Sequence, residues 1–381
     1  PGGCLPPGPP EDIWTRMKGR KMRPATEAEL AEAVAGAAGP LLVRGGGTRT
    51  LGPVVGELLE TGGMSGVELY EPGALTLVVR AGTSLAEVDR VLAAERQRLA
   101  FEVPDLRGLL GRDGVSTIGG VVAANASGPR RVQVGACRDA LLGVRFVDGS
   151  GVVIKNGGRV MKNVTGYDLV KLLAGSRGAL GVLSEVSFKL QAQPEAEATL
   201  VIEGLGDEAG LAGLRAALGS PFDVSGAARL SGRSLVRVEG LAGSVAYRVD
   251  RLRELIGGEV VVAEDAGSEA LWRGVRDVTP FADKPGDVWR LACLPTAAAE
   301  IVARLEGEAV WDWGGGLIWL LLEHGRGAEV AAAVAGRGHA TLVRGTGGPV
   351  FPPEAAEVAA LVAAVKARFD PRGILNRGMM G

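Results

Sequence analysis

Histidine is almost missing from this chain. Its 381 residues hold two, His324 and His339, both in the last fifth, so no histidine-based metal or acid–base site can lie earlier. Cysteine is nearly as scarce. Cys4, Cys137 and Cys293 are far apart and odd in number, which excludes a disulfide framework and the four thiolates that an iron–sulfur cluster or structural zinc usually takes. Charge of one sign is also lacking: 42 basic against 44 acidic residues leave a formal net charge of −2, no field for a polyanion, so nucleic acid is excluded as a partner. The longest apolar stretch, 317–322, falls far short of the ~20 residues of a membrane helix. No G-K-[ST] sequence is present, which removes a P-loop.

Glycine, by contrast, is abundant. Sixty glycines make roughly one residue in six where one in fourteen is ordinary, without a repeating period. A chain so rich in the residue that permits positive φ and close backbone approach is either loop-heavy or wraps its backbone round a ligand. Three clusters stand out in the first half. Arg44-Gly45-Gly46-Gly47-Thr48-Arg49 directly follows a strand-like run at 40–43. Its bare N–H groups suit a phosphate, with Thr48 and the arginines adding donors. Thr50-Leu51-Gly52-Pro53 follow and start no helix, so this is not a dinucleotide fingerprint of the Rossmann type. A second stretch holds Val103-Pro104-Asp105, Ser116-Thr117-Ile118-Gly119-Gly120, Ala124-Asn125-Ala126-Ser127-Gly128 and Arg138-Asp139. Residues so small are expected to wrap something flat and extended rather than to build a core. The third, 175–181, precedes a strand at 182–190. Three such loops, each against a strand, favour a dinucleotide held mostly by backbone.

The chain also shows its joints. The ten residues PGGCLPPGPP carry neither a signal peptide nor an apolar core, and residues 1–21 are expected to be a disordered or non-native extension. Capping boxes at Thr26/Glu29 and Ser84/Glu87 start two helices. The turn Asp148-Gly149-Ser150-Gly151 joins two β-type runs in a hairpin. Near Gln193-Pro194 the texture changes. Beyond it, strands are expected at 199–205, 235–239, 260–263, 288–292, 317–323 and 340–343, and helices at 207–218, 245–255, 296–305 and 328–335, with a closing helix at 354–369. This alternation predicts an α+β fold with a ferredoxin-like layer in the second half. The expected domains are 22–193, 194–345 and a C-terminal helical segment, 346–381.

RGGGT, PD, TIGG, NASG and G-S-x-G-x-L-G, in that order, resemble the FAD-binding domain of the vanillyl-alcohol oxidase and p-cresol methylhydroxylase (PCMH) family. The ending F-D-P-x-G-I-L-N at 369–376 resembles its D-lactate and glycolate dehydrogenase branch. The narrower features at 128–131, 160–169 and 312–315 are similar to those of the E-type subunits of bacterial glycolate oxidases. The resemblance implies a two-subdomain PCMH-type FAD-binding domain, an α+β cap and a final helix that returns to the first domain. It implies FAD held by Arg44, Gly45, Gly46, Gly47 and Thr48, by Thr117, Ile118, Gly119, Gly120, Asn125, Ser127 and Gly128, and by Gly181 and Val182, with Asp105 shaping the flavin pocket and Asp139 nearby. With no histidine in this part of the chain, and Cys137 outside the usual attachment context, the flavin is expected to be non-covalent.

Departures from the branch are equally informative. Complete 2-hydroxy-acid dehydrogenases of the branch carry H-x-G-D-G-N-L-H and, later, E-H-G. Here the first reads Asp312-Trp313-Gly314-Gly315-Gly316-Leu317-Ile318-Trp319 and the second Gly338-His339-Ala340, and Glu323-His324-Gly325 comes too soon after the first to replace it. One imidazole and a carboxylate are too few for a tight metal site. His339 is the sole candidate base, against a merely structural role. The expected function is an FAD-binding subunit of a cytoplasmic glycolate oxidase complex, held at the membrane face only through partners. Its role is accessory or electron-transferring, beside a catalytic flavoprotein subunit and an iron–sulfur subunit. The alternatives are a self-sufficient 2-hydroxy-acid dehydrogenase and a scaffold with a vestigial flavin site. Arg130-Arg131 are read as either a guide for an acidic surface or solvated charge. Lys162 and Tyr167 are candidates for holding a partner, or Tyr167 for the first turn of a helix at 168–173, and Trp311, Trp313 and Trp319 for a pocket, an interface or plain core.

Overall fold

A computed structural model describes residues 21–158, 166–256 and 258–379. Apart from Lys21, whose ammonium pairs with Glu60 at 2.8 Å, the expectation for residues 1–21 lies outside the described residues, as does Lys162.

Local chemistry sets the first half. The Thr26 hydroxyl accepts from Glu29 N (3.1 Å) and opens the helix Glu27–Ala35, while Ser84 caps Leu85–Ala93 in the same way. Leu41–Arg44 and Glu57–Glu60 pair in parallel as a small two-stranded sheet. A larger sheet follows, antiparallel throughout, in the spatial order Val67–Glu71, Thr76–Arg80, Val182–Ala192, Leu141–Val147, Val153–Gly157, with Gln97–Leu99 beside Val182–Ala192. The expected hairpin is present. Asp148 Oδ1 accepts from the N–H of Ser150 and Val152 and fixes its turn, as a short acceptor side chain does in tight turns. Phe146, Phe188, Leu77 and Val79 fill the core with Ile118, Val121 and Val122. These last three correct the sequence reading, because residues 117–124 do not merely wrap a ligand. Thr117 caps a six-residue helix, Ile118–Ala123, whose apolar side packs into the core and whose glycines lie between.

The second half is one antiparallel sheet of eight strands. Ala196–Ile202, Gly226–Leu230, Arg233–Gly240 and Val260–Glu264 form a βαββαβ unit with the helices Asp207–Leu218 and Ala242–Ile256. Asp287–Cys293, Glu308–Asp312, Leu317–Leu322 and Gly338–Arg344 form another with Ala298–Leu305 and Gly327–Val334. Counted within each unit, the strands lie in the order 4-1-3-2 and then 2-3-1-4, so the ferredoxin-like layer occurs twice, joined edge to edge. Their seam is a single paired position, Arg229 with Trp311. Alternation along the strands separates two faces. Leu200 and Ile202 look toward the four helices, and Val201 looks toward Trp272, Val275, Trp319 and, from the first half, Leu109. Trp311 and Trp319 are therefore core. The helix Asp265–Arg276, which carries Trp272, lies between the units in sequence and was not legible there; nor were the strands Gly226–Leu230 and Glu308–Asp312.

The chain then returns to its beginning. After the helix Ala356–Phe369, Phe369 packs against Phe146 (6.1 Å between centroids). Arg372 donates to the carbonyls of Gly149 and Ala35, and Asn376 clasps Val43 through both its N–H (2.7 Å) and C=O (3.1 Å).

Candidate functional site

Where the two sheets of the first half face each other, a groove is lined by residues 43–50, Thr61 and Ala81, by 117–124 in part, by 176–178 and 181, and by Leu183, Asn376 and Met379. Arg44, Gly45, Gly46, Gly47, Thr48, Thr117, Gly119, Gly120 and Gly181 thus come together from three separate clusters. Ile118 and Val182 are fully buried just behind the lining.

Packing explains why these positions are glycine. A Cβ on Gly46 would stand 1.6 Å from the Val115 carbonyl oxygen, and one on Gly45 2.2 Å from the Thr117 hydroxyl. Gly47 has φ +73°, in the left-handed region that other residues avoid. The first and second clusters are pressed together, which turns the backbone of the first toward the groove. Among the described residues, the N–H groups of Gly46, Gly47 and Thr48 donate to no backbone carbonyl. Arg49 reaches across this junction, donating to Ser116 Oγ at 2.8 Å and to the Pro104 carbonyl. Among the described residues its Nε is buried without a hydrogen-bond partner, and burial pushes its pKa down to about 10. Free backbone donors, a buried cation and a narrow glycine-walled cleft fit the pyrophosphate of a dinucleotide.

Other expected residues sit elsewhere. Asn125 Oδ1 accepts from Arg138 N, and Ser127 Oγ accepts from Cys137 N; both brace the loop beside the groove instead of lining it. Asp139 accepts from Ala136 N and meets Lys171 at 3.3 Å. Asp105 pairs with Arg107 at 2.7 Å and its N–H donates to Asp277, away from the lining. Tyr167 is exposed, ahead of the helix Leu169–Leu173 that Asp168 caps. His339 is exposed on Gly338–Arg344, the outermost strand of its sheet. His324 lies on a different loop, where its Nδ1 is 2.6 Å from Asp287.

Arg130 is neither a guide nor solvated charge. It is buried, and it ties the first half to the eight-stranded sheet by two 2.9 Å bonds to Glu239. Glu102, also from the first half, takes both Arg237 nitrogens of that sheet at 2.9 and 3.1 Å, as well as Arg130 N at 2.7 Å. Arg98 reaches Glu239 at 2.6 Å. Burial alone would raise the Glu102 pKa, but Arg237 and Arg130 outweigh it and hold the carboxyl at about 2. Beside this cluster, Gly128 holds Trp313 by accepting from its Nε1 (3.2 Å). Sequence reasoning missed Thr61, Ala81, Leu183, Asn376 and Met379 in the lining, since their approach depends on chain closure over long separations.

Comparison with known proteins agrees with this geometry. Residues 20–157 match the family described as FAD binding domain. Glycolate oxidase subunit GlcE of Escherichia coli (strain K12) is 36% identical over 90% of this chain and 92% of its own length. Glycolate oxidase subunit GlcD of Bacillus subtilis (strain 168) is 35% identical over 42% of this chain and 34% of that protein. A solved structure of alkyldihydroxyacetonephosphate synthase shares the fold, with a TM-score of 0.68 over 93% of this chain and 75% of that one, at 14% identity. The chain carries an FAD-binding domain and belongs to the family of FAD-binding glycolate oxidase subunits typified by GlcE.

Proposed function

We propose that this chain is the FAD-binding, accessory or electron-transferring subunit of a glycolate oxidase complex that converts glycolate to glyoxylate. The observation that carries the reading is the groove of unspent backbone donors at Gly46, Gly47 and Thr48, in a chain similar along nearly all its length to a glycolate oxidase subunit. On this reading residues 22–193 bind the cofactor, 194–345 cap it and 346–381 close the groove through Asn376. Gly45 to Thr48 and Arg49 hold the pyrophosphate, and Thr117, Gly119, Gly120 and Gly181 line the path of the flavin. Bound FAD supplies an acceptor for the two electrons of a 2-hydroxy acid. Cys137 is buried and its thiol pKa is raised by that burial, so it offers no thiolate for attachment, in keeping with non-covalent flavin.

The accessory role rests on the substitution of Asp312 and Trp313 for the first histidine motif and on the exposed place of His339. Hydride removal from glycolate then falls to a sister flavoprotein subunit, and onward transfer to an iron–sulfur subunit. Among the described residues no helix is long and apolar enough to cross a membrane; contact with a membrane would come through partners. Denaturing the purified chain should release FAD in a one-to-one ratio. Its flavin absorption should persist when glycolate is added to the isolated chain and bleach when the complex is complete. A pure chain without flavin, or one that bleaches by itself, overturns the reading.

A further inference from the structure

The helix Ala356–Phe369 is unlike the others of this chain. Glu357, Lys366 and Arg368 excepted, its 14 residues are all apolar, yet none of them is buried. Among the described residues, every other helix of eight residues or more has buried side chains. A helix apolar on most of its circumference ordinarily lies inside a protein. Here Val365 and Phe369 pack against the core of the first half, while Leu361 is 66% exposed and Val358 44%. The hairpin turn that meets the end of the helix, with Gly149 N donating to the Phe369 carbonyl at 2.7 Å, leaves Val152 exposed as well.

Charge and size along the exposed side indicate what covers it. Glu357, Leu361, Ala364 and Arg368 are all exposed, and their spacing of four, three and four residues puts them in one stripe along the helix. Read from the opposite end, this stripe is its own complement: Glu357 falls opposite Arg368, and Leu361 opposite the small Ala364. We propose that the stripe docks against the same stripe of a second copy of this chain, the two helices running antiparallel about a two-fold axis. The contact is isologous, so each favourable pair occurs twice. Both carboxylates meet guanidinium groups, and each leucine fills the space left above an alanine. A parallel pairing would instead set Glu357 against Glu357 and Arg368 against Arg368, which like-charge repulsion disfavours. The helix is about 21 Å long, a contact at the small end of specific interfaces, so the dimer is expected to form at micromolar concentrations. It is made on the face away from the core and does not rest on the flavin reading.

The test is sedimentation velocity of the full chain over roughly 1 to 100 µM, with flavin content measured by absorbance in the same samples so that loss of cofactor and loss of the dimer are told apart. The unsubstituted chain should pass from one copy toward two as concentration rises. Leu361→Asp should raise the dimer dissociation constant about tenfold or more, with circular dichroism unchanged; should aspartate disturb the helix, Leu361→Gln takes its place. Glu357→Arg and Arg368→Glu, each alone, bring like charges together at both ends of the contact and should weaken it about tenfold. Mixed in equal amounts, these two variants should associate with each other as well as the unsubstituted chain does with itself, because each supplies the charge the other lacks. A chain that stays a single copy throughout, as it would if a different subunit covered the helix, overturns the proposal. So does a dimer that the Leu361 variants leave intact or that mixing fails to restore.

Discussion

Among single residues, glycine and aspartate carry the sharpest consequences. A methyl group at Gly46 has nowhere to go but the Val115 carbonyl. Gly46→Ala should therefore cost about 2 kcal/mol in a denaturant melt through overpacking and lower retained flavin. Gly73→Ala, with open space around it, should change stability by less than about 0.5 kcal/mol. Asp312 gives a pH signature. Unfolded, it ionises near the ordinary 3.8; folded, it keeps its proton to about 8. The folded state binds the extra proton across that window, so this residue's contribution makes stability fall as pH rises from about 4 to 8. Asp312→Asn, which mimics the neutral acid and keeps an acceptor for Trp313 N, should flatten that slope. The gain over Asp312 should grow by about 1.4 kcal/mol per pH unit between about 4 and 8, read from thermal unfolding across buffers. The groove glycines were legible because three bare residues after a strand have few other uses. Asn376 was not, since it works by reaching a partner far along the chain, Val43, 333 residues away.

Between elements, the ion cluster of Glu102, Arg130, Arg237 and Glu239 helps fasten the eight-stranded sheet to the first half, beside the apolar contacts of Leu109. Removing one member leaves a buried charge unanswered, so Glu102→Gln should destabilise by about 3 kcal/mol. The sign with pH is opposite to that of Asp312. The Glu102 carboxyl is held at about 2, below its usual 4.5; its contribution is complete above that usual value and is lost as pH falls toward 2. Acid unfolding monitored by tryptophan fluorescence should shift to higher pH in the variant, with a shallower dependence below pH 4.5. The helices Asp207–Leu218 and Ala298–Leu305 were readable to within a few residues because each presents a regular apolar stripe. Gly226–Leu230 was not. Its five residues are all buried yet two are alanine and one is glycine, so the strand has neither alternation nor bulk, and only the sheet around it makes it one. Ile118–Ala123 was hidden for a related reason, its glycines mimicking a loop where Thr117 in fact starts a helix.

For the molecule as a whole, the last described residues return to the groove beside Val43. Asn376 donates to Val43 and Arg177 carbonyls at 3.1 and 2.8 Å and accepts from Val43 N. Ending the chain after residue 370 should raise the dissociation constant for FAD at least tenfold in equilibrium dialysis, while circular dichroism of the eight-stranded sheet stays near that of the full chain. Fold class was legible at this scale because strand and helix order constrains topology strongly. The doubling of the ferredoxin-like layer was foreshadowed only by the two successive sets of elements.

That doubling gives the sheet an internal two-fold symmetry. The two units meet through their equivalent second strands, antiparallel, with Arg229 opposite Trp311, and their strand orders mirror each other across that line. A self-complementary edge of this kind is what two identical chains make about a two-fold axis. The sheet has the form that two copies of one unit take about a two-fold axis, with Asp265–Arg276 and the residues after it joining them in one polypeptide. The two units nevertheless differ in what they carry: the first holds Arg237 and Glu239, which pair with Glu102 and Arg130 of the first half, and the second holds Trp313, whose ring lies under Arg131 of the first half.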